Sequence, residues 1–555
     1  MPVPGPRPAP PVAARPIRGP LWAGLLTLAL VPRLLGLGFG LPNRDHAYPY
    51  NIDEWTPMRA LQQMEPRRLD FNPHYFENPT LFYYLIGAGA FTAGRIGWVR
   101  LDGDERFYFD HPEHLARVIV VGRCLTVLFG LATVWLTYRL ARVFGLGRGG
   151  AGLAAGLLAL HPSHVIHSHY MTVNVAVTCA TLAALVLIAR WLRRRDLGSA
   201  AVAGSVAGLA LSIKYSAALL LPLLVAAGVA RATLDRRGGA RDPGRAVTET
   251  AAALACAAIA FVAGTPYAVL AYDEFRGQVG PFIHGMASGP EAVPWPRALS
   301  GAVQRGLSVH AAASTPTMLL AAIGGAVVVA RRVGVTALLV LAWLAVLVVA
   351  TLRIPFLASD GRFLPAFPVI AVLAAAGIAE VHRRRPRLGT ALGAVVVAVA
   401  LGWTALLVGR FIGPVPQQLA SLWARANVGP GERVLHTGTA VYWGPDLVVR
   451  EVLQVKNTAN YDRATSWVFV TQDSFRLPYR EARTLKPDVV FLTQFLPFDP
   501  HGGEWLTDPD YRLVATFPGK LRLFGRRFQA PLDTYDVDTW VLRPREGAPT
   551  AGRVP

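Results

Sequence analysis

The sequence predicts a mainly helical, polytopic membrane bundle of about eleven spans with a small C-terminal α/β domain outside the membrane. Three observations carry that prediction. The 555 residues are 53% hydrophobic and 16% charged, where a soluble domain carries about 25% charged residues; the mean hydropathy is +0.36. Apolar runs of bilayer-crossing length recur along most of the chain. The formal charge of +20, from 55 Lys+Arg and 35 Asp+Glu, falls largely in short basic clusters between those runs. Such clusters mark cytoplasmic loops. Topology therefore accounts for the basic balance, and no nucleic-acid partner is expected.

Residues 1–20 are rich in Pro and Ala and carry Arg7, Arg15 and Arg18, as a disordered basic cytoplasmic tail would. Leu21 to Leu41 follows. It is too long for a signal-peptide core and has no small-residue cleavage site, so it reads as an uncleaved first span. Residues 42–114 form the first outer loop. Within it, Asn78 to Trp98 is apolar and aromatic but broken by glycines. If both it and Leu115 to Leu140 crossed, Arg139, Arg142 and Arg148 would face outward. A re-entrant or surface-lying segment keeps them inside.

Later runs alternate cleanly. Ala151 to Ile166 goes out and Val173 to Leu192 returns to Arg193, Arg194 and Arg195. Ser199 to Ile213 and Ser216 to Val229 form the next pair, ending at Arg231, Arg236, Arg237, Arg241 and Arg245. Thr250 to Leu270 leads to a long outer loop, and Thr317 to Ala330 returns to Arg331 and Arg332. Val335 to Leu352 and Leu364 to Ile378 precede Arg383, Arg384, Arg385 and Arg387, and Leu388 to Val408 exits. The N-terminus is expected inside a bacterial plasma membrane, with residues 21–412 as the membrane domain and 413–555 outside. Short Ala- and Gly-rich spans are expected as closely approaching interior helices. In the last segment, RVLHTG, DLVVREVLQV, SWVFVTQ, DVVFLTQ, YRLVATF and TWVLRP read as strands, with Tyr479 to Leu485 helical between two of them.

The candidate chemistry starts in YPYNIDEWTPMRALQQM. Asp53 and Glu54 are adjacent acids opening an amphipathic helix just past the first span. Acids favour a first helical turn, which alone would account for them. The aromatic setting of Tyr48, Tyr50 and Trp55 offers a second reason: burial that raises a carboxyl pKa into the range of a general base. His74, Glu77 and Asn78 precede an aromatic run, either as an interfacial belt or as pocket groups. LHPSHVIHSHYMTVN holds His161, His164, His167 and His169. The first three share the i, i+3, i+6 spacing of one helical face, as metal ligands or pocket polar groups. No carboxylate in the segment completes a metal site, so a pocket rim is preferred. No cofactor is expected, and a divalent metal has no support in the sequence.

Lys214, in GLALSIKYSAALLLP, and Arg362, in LRIPFLASDGRFLPAFP, fall at outer ends of spans. Snorkelling is the ordinary account. Both oppose the positive-inside trend, and a membrane-embedded phosphate supplies a reason for that. The glycine-rich GLGRGGAG follows a membrane helix and not a strand, so it reads as a loop. DGD (Asp102 to Asp104) and DVD (Asp536 to Asp538) are three-residue matches of no weight. Cys124, Cys179 and Cys256 lie in apolar runs with neither zinc nor disulfide spacing.

In order and spacing, NIDEWTPMRAL, LDFNPHYFENPTLFYYL, HSHYMTVNVAVT, GLALSIKYSAALLLP, GTPYAVLAYDEF and DGRFLPAFP resemble the GT-C class of membrane glycosyltransferases, in particular protein-mannosyltransferase-like family 39 and its bacterial relatives. The resemblance covers about the first 410 residues, and the outer domain is similar to that of bacterial members. It implies a polyprenyl-phosphate sugar donor and inversion at the anomeric carbon. It maps the catalytic acid onto Asp53 with Glu54 beside it. It maps a second acidic position, often Asp in relatives, onto Asn174, which can hydrogen-bond a sugar but cannot act as a base. His74, His167, His169, Asn174 and Tyr215 are then the expected substrate pocket, and Lys214 and Arg362 the donor-phosphate site. The partners implied are a lipid-linked sugar, membrane lipid and an acceptor of unspecified class. Two rivals remain. A transporter would show inverted repeats and mid-bilayer charge, whereas these polar groups map to outer helix ends. A catalytically lapsed assembly subunit draws its support from Asn174.

Overall fold

The computed structural model describes residues 19–43, 49–103, 105–237, 243–288, 314–332, 334–352, 360–429, 432–437, 479–493, 502–520, 522–523, 526–527 and 538–546. Among these, six helices are long and apolar enough to cross a membrane: Pro112–Val143, Val173–Arg194, Tyr215–Arg236, Gly244–Gly264, Gly361–Arg384 and Pro386–Gly409. Shorter apolar helices over Trp22–Leu34, Leu197–Leu211, Pro316–Ala330 and Val335–Thr351 complete the bundle. The basic tail, Tyr48, Arg241, Asp536 and the strand-like runs DLVVREVLQV and SWVFVTQ lie outside the described residues.

Several expected spans are interrupted, each at a residue that breaks the helical hydrogen-bond ladder. The first helix, α1 (Gly19–Leu34), stops before the glycine-rich LGLGFG. Gly36 and Gly40 there take positive φ, 82° and 57°, a conformation open to glycine at little cost. The expected span Ala151 to Ile166 is two helices, α6 (Arg148–Ala159) and α7 (Pro162–His167), because Pro162 cannot continue α6. Pro266 likewise separates α11 (Pro243–Gly264) from the short α12 (Tyr267–Leu270). The expected surface or re-entrant segment forms α3 (Leu81–Arg95) after α2 (Trp55–Gln62). Its 15 residues span about 22 Å, less than the ~30 Å hydrocarbon core. It packs on α2 and on α5 (Pro112–Val143), with α4 (Glu105–Asp110) between.

The remaining helices are α8 (Val173–Arg194), α9 (Leu197–Leu211), α10 (Leu220–Arg237), α13 (Tyr272–Ser288), α14 (Pro316–Arg332), α15 (Val335–Leu352), α16 (Phe367–Arg384) and α17 (Pro386–Gly409). Small residues set the two closest crossings. A Cβ on Gly204 or Gly208 of α9 would lie 1.9 or 2.1 Å from a carbonyl oxygen of α11, those of Ala253 and Ala257. A Cβ on Gly325 of α14 would lie 1.8 Å from Leu373 O on α16, and one on Gly377 2.6 Å from Ala321 O. With no hydrophobic drive between helices in lipid, this backbone approach supplies the packing. Gly204→Ala and Gly325→Ala are each expected to cost about 1–3 kcal/mol by forcing the pairs apart. Thermal melts read this directly, and unchanged midpoints for both would refute it.

At the arginine-rich ends of α8, α10 and α11, the basic clusters close into one network. Arg231 pairs with Asp235 and lies 3.3 Å from Glu249. Arg195 reaches Asp235 at 3.3 Å, and Arg245 reaches Glu249 at 3.3 Å. Trp191 Nε1 donates to Glu249 at 2.8 Å. Two clusters assigned to one side by charge alone thus share one end of the bundle.

After α17, helix α18 (Pro416–Asn427) leads into a four-stranded sheet of order β1-β2-β6-β3, built from β1 (Val434–Thr437), β2 (Val489–Thr493), β3 (Tyr511–Phe517) and β6 (Thr539–Pro544). A separate pair, β4 (Arg522–Leu523) and β5 (Arg526–Arg527), is antiparallel. β1 and β2 run parallel, and β6 is antiparallel to both β2 and β3. Ala420 and Ala424 of α18 bury against Val434, Phe491 and Val541. Lys520 Nζ donates to Ile412 O and Gly413 O, at 2.6 and 3.1 Å, tying this domain to the end of α17.

Candidate active site

The acid pair opens a tight turn. The chain leaves α1 through the glycine turns, Tyr50 N donates to Gly40 O, and a 3-10 turn over Ile52–Glu54 leads into α2. Adjacent residues on such a turn point in different directions, and here they part completely. Glu54 is 0% exposed and faces Arg123 of α5, itself 1% exposed. Arg123 Nη2 donates to Glu54 Oε2 at 2.6 Å and Nε to Oε1 at 2.8 Å. Arg123 Nη1 donates to Leu37 O and Phe39 O, at 2.6 and 2.7 Å. Met171 N donates to Glu54 Oε1 at 2.8 Å. One buried pair therefore joins the exit of α1, the acid turn, α5 and the segment before α8.

Asp53 is exposed, and its backbone N–H donates to Asn51 Oδ1 at 3.0 Å. The burial expected for an acid beside these aromatics falls on Glu54 and not on Asp53. Simple capping does not account for Glu54: it occupies the N-cap position of α2, but its side chain makes no cap hydrogen bond.

Asn174 and Lys214 meet. Lys214, in extended backbone between α9 and a 3-10 turn over Tyr215–Leu219, donates from Nζ to Asn174 Oδ1 at 2.6 Å. Asn174 stands in the first turn of α8. Arg362 is half-buried on the 3-10 turn Asp360–Ala366, which packs on α7, α8 and α15. Tyr215 donates from its hydroxyl to Phe76 O at 3.1 Å, so the residue after Lys214 holds the first outer loop.

His74 lies elsewhere. Its Nδ1 is 3.0 Å from Glu274 Oε1 of α13, and Glu274 also accepts from Asn72 Nδ2 at 3.0 Å. Gln278 completes this clasp by donating to His74 O and accepting from Phe76 N. Tyr75 donates its hydroxyl to Glu77. Burial first, and the Glu77 carboxylate second, push its phenol up to about 12, so it serves as a donor and not as a base.

The histidines with resolved contacts take different partners. His161 Nε2 is 2.8 Å from Ser314 Oγ, with the ring stacked on Phe367. His164 Nδ1 accepts from Arg33 Nη2 at 2.9 Å. His169 places Nδ1 2.9 Å from Val165 O and Nε2 2.8 Å from Leu35 O, and stacks on Phe411. His167 is buried as well. The expected pocket rim is bundle interior. His169 meets the exit of α1 through Nε2 and α7 through Nδ1, so its ring bridges two backbone segments. Among the described residues, no group of three or more His, Cys, Asp and Glu is placed to hold a metal ion.

A family model for dolichyl-phosphate-mannose-protein mannosyltransferase matches residues 102–236. Over this segment the chain is similar to membrane glycosyltransferases of that type. It includes Arg123, the four histidines, Asn174, Lys214 and Tyr215, while Asp53, Glu54 and Arg362 lie outside it. No curated protein matches the chain. Among solved structures, ArnT from Cupriavidus metallidurans bound to undecaprenyl phosphate is 14% identical, with 95% of this chain and 98% of that chain covered and a TM-score of 0.49. The archaeal oligosaccharyltransferase AglB from Archaeoglobus fulgidus, in complex with an inhibitory peptide and a dolichol-phosphate, is 10% identical over 85% and 69%, at 0.48. The S. cerevisiae protein O-mannosyltransferase Pmt1-Pmt2 complex bound to the sugar donor is 16% identical over 46% and 34%, at 0.35.

Two buried charged residues of this bundle escaped the sequence reasoning. Arg123 sits in the matched segment and Arg33 in α1. Arg33 donates to Ala29 O, Ala159 O, Ser168 Oγ and His164 Nδ1, at 2.6, 3.0, 3.2 and 2.9 Å. The signal was present: one arginine inside each of LALVPRLLG and VIVVGRCLTV. A charge within an apolar span needs a buried partner.

Proposed function

We propose that this chain transfers a sugar from a polyprenyl-phosphate carrier to an acceptor hydroxyl on the outer face of a bacterial plasma membrane, inverting the anomeric carbon. The observation that carries the reading is the 2.6 Å contact of Lys214 Nζ with Asn174 Oδ1. It sets a cation at the head of α8, beside the turn that bears Arg362, at the end of the bundle opposite the arginine-rich network. The matched family, named for dolichyl-phosphate-mannose, supports a lipid-phosphate donor.

The acceptor oxygen attacks the anomeric carbon on the side opposite the phosphate, and the bond from that carbon to the phosphate oxygen breaks. Asp53 takes the acceptor's proton. The bonding electrons leave with the lipid phosphate, whose charge Lys214 and Arg362 offset. Glu54 and Arg123 hold the turn that presents Asp53. Asn174, neutral where relatives often carry an acid, orients Lys214 without competing for the phosphate. In this layout residues 1–20 lie in the cytoplasm, 21–412 form the catalytic bundle and 413–555 stand outside.

Purified protein in liposomes, given an acceptor and a polyprenyl-phosphate sugar, is expected to release polyprenyl phosphate. Nucleotide sugars without the lipid carrier should support no transfer, and efficient transfer from them would overturn the reading. Lys214→Ala and Arg362→Ala should each lower kcat/KM for the donor about tenfold or more, with little change in the acceptor KM. Unchanged donor kinetics in both would leave them as snorkelling residues.

A further inference from the structure

The first outer loop carries a second exposed feature, away from Asp53. Residues 65–70 form a closed turn in which Glu65 and Asp70 exchange backbone hydrogen bonds, 2.9 and 3.2 Å, around a 3-10 turn over Pro66–Arg68. At its tip Leu69 is 80% exposed and takes a left-handed φ of 60°. A leucine held there costs conformational energy and, in water, exposes its whole side chain. Phe71 beside it is also exposed.

The tip is fastened to α12. Tyr267 Oη accepts from Phe71 N at 3.1 Å and donates to Asp70 Oδ1 at 3.3 Å. Tyr84 of α3 donates to Phe71 O at 3.2 Å. α12 itself exposes Val269 and Leu270, the latter 73% exposed, and Tyr272 follows, also exposed. These continue the exposed apolar side of α11, where Ile259 and Val262 precede Gly264. Leu270 is six residues past Gly264 and ends the single short helix α12, so it stands near the end of that span, about 9 Å away at a helical rise. The headgroup layer is about 5–8 Å deep on each side of the hydrocarbon core.

Charge fits the same layer. Asp70 is turned inward to Tyr267 and to Asn72 N, and Glu65 is paired with Arg68. Arg67 and Arg68, immediately before the apolar tip, are both exposed. Arginine with leucine and tyrosine is the composition of a membrane–water interface.

We infer that Leu69, Phe71, Val269, Leu270 and Tyr272 form a wedge seated in the phospholipid headgroup layer, with Arg67 at the lipid phosphates. This fixes the height of the first outer loop above the bilayer. The inference rests on surface geometry and stands whether or not the proposed reaction does.

The test places the photocrosslinker p-benzoylphenylalanine singly at positions 69, 270, 262 and 513 of the full chain in phospholipid nanodiscs. After irradiation, the peptides are weighed. Phospholipid adducts are expected at 69 and 270, as at 262 on the lipid-facing side of α11, and none at 513, an exposed leucine of β3. Adducts at 262 without any at 69 and 270 would overturn the wedge. So would cross-links from 69 or 270 to a second copy or to an added acceptor.

Discussion

Asp53→Asn is expected to reduce turnover by at least about a hundredfold while the protein stays folded, the usual scale for loss of a positioned base. The substitution keeps shape and hydrogen-bonding reach but removes the capacity to accept a proton. The exposed position of Asp53 makes the change safe for folding, because the turn is held through Glu54 and Arg123. Release of polyprenyl phosphate in a single turnover gives the rate, and a thermal melt reports the fold. A near-normal rate would place the base elsewhere.

Its neighbour is expected to behave in the opposite way. Arg123→Ala leaves the Glu54 carboxylate buried without its cation and frees the carbonyls of Leu37 and Phe39. Breaking a buried pair by removing one partner costs about 3–5 kcal/mol, since an uncompensated charge remains in low dielectric. Lost yield and a lowered melting temperature should precede any kinetic measurement. Glu54→Leu with Arg123→Met should recover part of the stability, because the charges leave together and apolar volume replaces them. It should not recover activity, because the turn bearing Asp53 loses its anchor. If Arg123→Ala melts like the native protein, the pair is not structural. Two adjacent acids thus divide, one read in rate and one in stability.

Much of the bundle was legible because it follows from local properties. Leu115 to Leu140, Val173 to Leu192 and Leu388 to Val408 each fall inside one helix, since an apolar run in lipid must satisfy its backbone within itself. Helix breaks were less legible. Pro162 and Pro266 lie in or next to runs that hydropathy treats as continuous, and hydropathy does not register a missing N–H. The partners of the histidines were not legible for a related reason. A shared helical face is only a possibility, and α7 is six residues long and buried on all sides.

The sequence by itself determined the membrane class, most helical runs, the placing of basic clusters at helix ends, and the residue types able to serve an acid–base and phosphate chemistry. These depend on composition and short-range periodicity. Only the tertiary structure decided which of two adjacent acids is exposed, that Lys214 reaches Asn174 forty residues away, and that the four histidines of the α7 segment are buried inside the bundle. The reason is physical. A buried polar group must find its partner, and in a bundle the partner comes from whichever helix packing brings near: Arg123 for Glu54 across 69 residues, Arg33 for His164 across 131.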